Sequence, residues 1–284
     1  MLNTEWSLVF FTTISQLAVG IMIAVLPFVF AKKLNQYAKL NQTTLYCAAG
    51  LMLIALILSF LHLNNPVNAI YALSNLETSW LSREIFFVSL FLFCLVLVNL
   101  ILYFKNPDVN YYRAFILIAT IVGVIMVYSM SKLYVIPTVP PWNSVSTIIE
   151  FYSTALLIGS ALVLGLSFHY GMRVKNEIHP GNKNNIISLI TLIAIAMIII
   201  NELFSGHTAT EGNVAFEPQP LDTSIIVARW LTLLLGAISL LFVIVKKGRL
   251  TNMRLAFYLP FAFFLISELI ARAAFYASFY RIGL

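Results

Sequence analysis

Residues 83–105 read REIFFVSLFLFCLVLVNLILYFK. Between Glu84 and Lys105 there is no charge, and Ser89 and Asn99 are the main polar interruptions. A helix of about 20 such residues, rising 1.5 Å each, crosses the ~30 Å hydrocarbon core of a bilayer. A lone strand could not satisfy its backbone in lipid, so the stretch is read as a helix. Similar runs lie at about 6–30, 43–63, 84–104, 112–134, 147–170, 185–206, 224–245 and 254–278. The expected fold is therefore all-α, a polytopic bundle of eight transmembrane helices. The loops leave no room for a soluble domain, so residues 1–284 are expected to form a single integral membrane domain.

Composition excludes the soluble alternative. Hydrophobic residues make up 61% of the 284 and charged residues 10%, where soluble domains carry about 25% charge. Net charge is +6, and its distribution decides its meaning. Twelve of the seventeen Lys and Arg residues fall in the gaps 31–42, 105–113, 171–184 and 246–254, which are every second gap. The gaps between carry acids, Glu77 in one and Glu211, Glu217 and Asp222 in another. Positive loops stay on the cytoplasmic side. The alternation thus predicts a multi-pass protein of the bacterial inner membrane with both termini periplasmic, facing lipid and not nucleic acid.

The N-terminus, MLNTEW, has no basic region and contains Glu5, so the first run is expected to be a retained span. Cys47 and Cys94 lie in different apolar runs. Two scattered thiols cannot hold an Fe–S cluster. The four histidines are His62, His169, His179 and His207. Only His62 and His207 share the outer side, and His207 stands at a helix end beside Gly206, so a bis-His haem b is not expected.

Charge inside a membrane is costly and marks function, pairing or water. Here it gathers toward the outer leaflet. His62 ends the second span, Arg83 and Glu84 open the third, and Glu150 opens the fifth. Glu202 and Arg229 lie near the outer ends of the sixth and seventh spans, and Glu268 and Arg272 near that of the eighth. Gln16 lies deeper in the first. Such a one-sided cluster fits a proton-linked ligand site, although charges near water can also be inert. Glu268 and Arg272 stand in the favourable i,i+4 order. They either neutralise each other or line a polar pocket. A histidine and a carboxylate on one side, His62 and Glu84, can accept and relay protons. The outer segment VIPTVPPWNSVS (135–146) reads as a proline turn with an interfacial Trp142.

Several stretches resemble the DmsC family, the membrane-anchor subunits of bacterial dimethyl sulfoxide reductase. They are FTTISQLAVG (11–20), SFLHLNNPVNAIYALSN (59–75), LSREI (81–85), TVPPWNS (138–144) and SELIARAAFY (267–276). They span nearly all of the sequence. The resemblance implies an anchor for a molybdopterin catalytic subunit and an Fe–S electron-transfer subunit, docked on the periplasmic face. It implies oxidation of menaquinol and no haem or Fe–S cluster in this protein. It places the quinol site at His62 in the His62–Pro66 segment, at Glu84, and at Glu268 and Arg272 in the last span; Arg83 beside Glu84 and Gln16 of the first span are read with them as candidate quinol-binding residues. Two departures are visible. The segment 62–66 reads HLNNP where the family has Gly after Leu, and Arg83 replaces a neutral neighbour of the acid.

Three other readings are open to the sequence. An anchor of a related polysulfide or nitrite reductase would use the same chemistry with a different terminal acceptor. A secondary transporter would show matched broken spans in its two halves, whereas Pro27 and Pro260 do not correspond. A purely structural tether leaves the outer polar cluster without a purpose.

Overall fold

A computed structural model describes residues 6–32, 34–61, 71, 73–103, 109–171, 181–208, 223–246 and 254–279. It contains eight helices long and apolar enough to cross a membrane. They are α1 (Trp6–Val29), α2 (Ala38–Leu61), α3 (Trp80–Tyr103), α4 (Val109–Tyr134), α5 (Val145–Gly171), α6 (Gly181–Thr208), α7 (Thr223–Lys246) and α8 (Leu259–Ala277). Among the described residues there is no strand.

Helices adjacent in sequence pack as pairs, α1 on α2, α3 on α4, α5 on α6 and α7 on α8. The two halves of the bundle join where α1 lies against α5. Side-chain size explains the choice of centre. In lipid there is little hydrophobic gain in hiding Leu from tails, so small and polar residues mark the helix interfaces. Helix α1 buries Thr12, Thr13, Ser15, Gln16, Ala18, Gly20 and Ala24, and α5 buries Ser153, Thr154, Ala155, Gly159, Ser160 and Ala161. The most apolar stretches of these two helices are 78% and 83% buried, against 22% and 17% in the Ile- and Leu-rich α6 and α7. At the crossing, Gly20 meets Gly159 backbone to backbone, and a Cβ on Gly20 would fall on the Ala155 carbonyl.

The end of α1 is closed from another helix. Arg113 of α4 donates from Nε to the Val29 carbonyl (3.1 Å) and from Nη2 to the Ala31 carbonyl (2.8 Å). These are carbonyls that a helix terminus leaves without partners. Helix α8 starts later than the apolar run suggests. Residues Arg254–Tyr258 form a 3₁₀ turn, and Pro260 falls in the first turn of the helix. There its missing N–H costs nothing, so Pro260 starts the span and does not break it.

The 135–144 turn closes the opposite end. Trp142 is not an interfacial anchor. It is buried, its ring stacks on Phe275 at 5.0 Å, and its Nε1 donates to the Phe275 carbonyl at 2.9 Å. This plug pins the α4–α5 connection to the end of α8 and roofs the polar cluster.

Candidate functional site

Gln16 of α1 and Glu268 and Arg272 of α8 come together beneath that roof, and all three are buried. Arg272 donates from Nη2 to Gln16 Oε1 at 3.1 Å. Its guanidinium carbon lies 3.8 Å from the centre of the Phe151 ring, a cation–π contact from α5. Glu268 Oε2 accepts from Thr154 Oγ1 of α5 at 2.5 Å. Thus α5 supplies the ring that carries the cation and the hydroxyl that holds the acid. Helices α1 and α8 supply the rest.

Glu268 and Arg272 do not pair with each other. The i,i+4 rule describes side chains with no better partner than their neighbour on the same helix. Here a hydroxyl and an aromatic face on a second helix, and an amide on a third, take the two groups in different directions.

Glu84 is buried in the second turn of α3. Two tyrosines, from α4 and α8, lie near it. Tyr276 Oη lies 2.8 Å from Tyr134 Oη and 3.5 Å from Thr12 Oγ1. Glu84 and Arg272 both lie within electrostatic range of the two tyrosines. The Tyr134 ring touches those of Trp142, Phe151, Phe275 and Tyr276. Neither tyrosine is among the residues that the sequence alone marks as candidates. Tyr276 does carry a signal there, because Glu268, Arg272 and Tyr276 are four apart and share one face of α8.

Arg83 is not brought into this cluster. Its Nε donates to the Leu76 carbonyl at 2.8 Å and its Nη2 to the Glu77 carbonyl at 2.5 Å. Its guanidinium lies 4.2 Å from the Trp80 ring centre. Successive residues of a helix point about 100° apart, so the arginine ties down the preceding turn while Glu84 faces inward. His62 and the 62–66 segment lie outside the described residues.

Five buried atoms of this cluster have no hydrogen-bond partner among the described residues. They are Glu84 Oε1, Gln16 Nε2, Glu268 Oε1, and Nε and Nη1 of Arg272. Leaving such a group unpaired costs about 1–3 kcal/mol, and more for a charged one. Donors on α1 and α8 and acceptors on α3 and α8, walled by aromatic rings, suit a flat polar-edged ring. A quinol head has that shape and chemistry, with a hydroxyl at each end of an apolar ring, and the residues present fit it.

A second polar group lies beside this one. Arg229 of α7 reaches Glu150 Oε1 of α5 at 3.8 Å and Glu202 Oε2 of α6 at 3.2 Å. Ser267 donates to the Arg229 carbonyl at 3.2 Å.

Residues 2–278 match the family described as DMSO reductase anchor subunit (DmsC). The protein belongs to the DmsC family. The anchor is 27% identical over 289 residues to the C subunit of anaerobic dimethyl sulfoxide reductase of Escherichia coli, covering 99% of this sequence and 96% of that one. It is 30% identical over 217 residues to the anaerobic dimethyl sulfoxide reductase subunit YnfH of E. coli, with 75% of each sequence covered. The corresponding C subunit of Haemophilus influenzae is 26% identical over 203 residues, 71% of this anchor and 70% of the relative. No solved structure matches the anchor. Family membership and the eight apolar helices together make it a multi-pass protein of the bacterial inner membrane.

Proposed function

We propose that this anchor oxidises menaquinol and passes the electrons to an Fe–S partner subunit, which feeds a molybdopterin reductase. The observation that carries the reading is the buried set of Glu84, Gln16, Glu268 and Arg272, with unpaired donors and acceptors between aromatic walls. In this reading Glu84 and His62 hydrogen-bond the quinol and accept the proton of its near hydroxyl. Gln16 and Arg272 hold its far oxygen, with Phe151 and Tyr134 packing the ring. The redox chemistry belongs to the quinol and to the partner's cluster, and the anchor supplies binding, orientation and proton acceptors. The charge pattern of the loops supports a periplasmic position for this end of the bundle, and in this reading the partner subunits dock there. Residues 1–284 act as one integral membrane unit that carries no haem. The names of the relatives favour dimethyl sulfoxide over polysulfide or nitrite as the terminal acceptor of the complex.

The test compares two electron donors on the purified complex. With Glu84→Gln or His62→Ala, menaquinol-driven turnover should fall by about 100-fold, the usual weight of a positioned base. Turnover driven by a reduced viologen, which feeds the Fe–S subunit directly, should be unchanged. Menaquinol turnover within about twofold of wild type in both variants would remove these residues from the site.

A further inference from the structure

Resting on that reading, we infer that Glu150 and Glu202, held on either side of the Arg229 guanidinium, are the exit by which protons leave the buried site through Glu268. Oxidation of one quinol breaks two O–H bonds, sends two electrons to the Fe–S partner and leaves two protons. Glu84 and His62 take the proton of the near hydroxyl; the proton of the far one, at the oxygen held by Gln16 and Arg272, starts beside Glu268 and must reach water.

The carboxylates that could carry them form a ladder of exposure. Glu268 is 1% exposed. The Glu150 side chain is 17% exposed and that of Glu202 is 44%. The ladder also rises along the bundle. Glu268 lies about 13 Å from the end of α8 at Ala277, at 1.5 Å per residue. Glu150 stands one turn nearer that end than Thr154 on α5, and the Arg229 side chain joins it to Glu202. Thr154, which donates to Glu268 Oε2, is four residues from Glu150 on α5. The two therefore share a face one turn apart, and the Glu268 carboxyl is held directly below Glu150. Its other oxygen, Oε1, is buried without a partner among the described residues.

Charge balance separates this group from a plain ion pair. Arg229 acts electrostatically on three carboxylates, Glu150, Glu202 and Glu268. Counting Arg272, which keeps its charge against the neutral Gln16 and Phe151, two guanidinium groups face three carboxylates, one more than they balance. The cluster therefore has a place for a proton. Arg229 keeps its own protons at any working pH. It is a positioning residue that holds the two outer acids within reach of the buried one.

The experiment uses the whole complex with a water-soluble naphthoquinol as donor. Wild type, Glu150→Gln, Glu202→Gln and the double variant are compared, with reduced viologen as the control donor. In the double variant, naphthoquinol-driven turnover should fall about tenfold or more, within the range for a lost proton-transfer group. The KM for the naphthoquinol and viologen-driven turnover should stay as in wild type. The solvent deuterium isotope effect should grow, and a small weak acid such as formate should restore turnover by carrying protons itself. Turnover within about twofold of wild type overturns the exit. So does a slow variant with an unchanged isotope effect and no rescue, because the pairs are then only structural. If the double variant does not assemble, the half-exposed Glu202→Gln decides alone, and wild-type kinetics and isotope effect in it count against the exit. A wild-type complex that runs on viologen but not on naphthoquinol refutes the quinol reading itself, a different result from any of these.

Discussion

Replacing Gly159 by Ala should cost this anchor far more than an ordinary added methyl. Gly159 sits where α1 crosses α5, and an added Cβ would lie 2.6 Å from the Ile21 nitrogen and still closer to the Gly20 backbone. Carbon in ordinary contact needs about 3.5 Å. The obstacle is helix backbone, which cannot rotate aside, so the two helices must part by about 1 Å. Overpacking costs about 1–3 kcal/mol, and a backbone collision belongs at the top of that range. At 1.4 kcal/mol per tenfold, 3 kcal/mol is about two decades in the unfolding equilibrium. The displacement also reaches the site, because Gln16 is one turn from Gly20 and Thr154 just over one turn from Gly159. Separation draws Gln16 away from Arg272 and Thr154 away from Glu268, so quinol turnover should fall in the protein that remains folded. The control is Gly50→Ala on α2, where nothing lies within 4 Å. That change should be neutral or should stabilise by up to about 1 kcal/mol through helix propensity. Reversible unfolding of the purified anchor in mixed micelles measures both. Equal stability of the two variants would refute the close crossing and the placement of the site that depends on it.

Arg83→Gln should lower stability by about 1–2 kcal/mol, since it removes two charged hydrogen bonds to loop carbonyls. It should leave menaquinol turnover within about twofold, and a loss as deep as that of Glu84→Gln would return Arg83 to the site. Double-mutant cycles on unfolding should give a larger coupling for Thr154→Val with Glu268→Gln than for Arg272→Gln with Glu268→Gln. A hydrogen bond to a charged group contributes about 1.5–3 kcal/mol, and the reverse order would show that the two α8 residues are paired after all.

The eight spans are legible because lipid imposes one rule, an apolar run long enough to cross, and the sequence obeys it from α1 to α8. Gln16, Glu268 and Arg272 are legible as candidates because a charge or amide in an apolar run is conspicuous. Their partners are not. Thr154 and Phe151 are ordinary residues of a membrane helix, and only the register between α5 and α8 makes one a hydrogen-bond donor and the other a cation platform. Tyr134 and Tyr276 look like interfacial aromatics in sequence, as Trp142 does, until packing turns all three inward. The pairing of Glu268 with Arg272 fails as an expectation because spacing along one helix says nothing of competitors on the next. The small residues of α1 and α5 do carry a readable signal. Gly20 with Ala24, and Ala155 with Gly159, each stand four apart. That spacing lets membrane helices approach closely, and it marks the central pair.

The most direct test of the central claim is the transfer of electrons from menaquinol to the partner's cluster. The complex, purified with its co-purifying subunits, is mixed anaerobically with menaquinol, and the reduced Fe–S signal is followed by paramagnetic resonance. The cluster should be reduced when this anchor is present, and not when the soluble subunits are supplied alone. Reduction by menaquinol without the anchor would contradict the assignment, as would an assembled complex whose clusters accept electrons from dithionite but not from menaquinol.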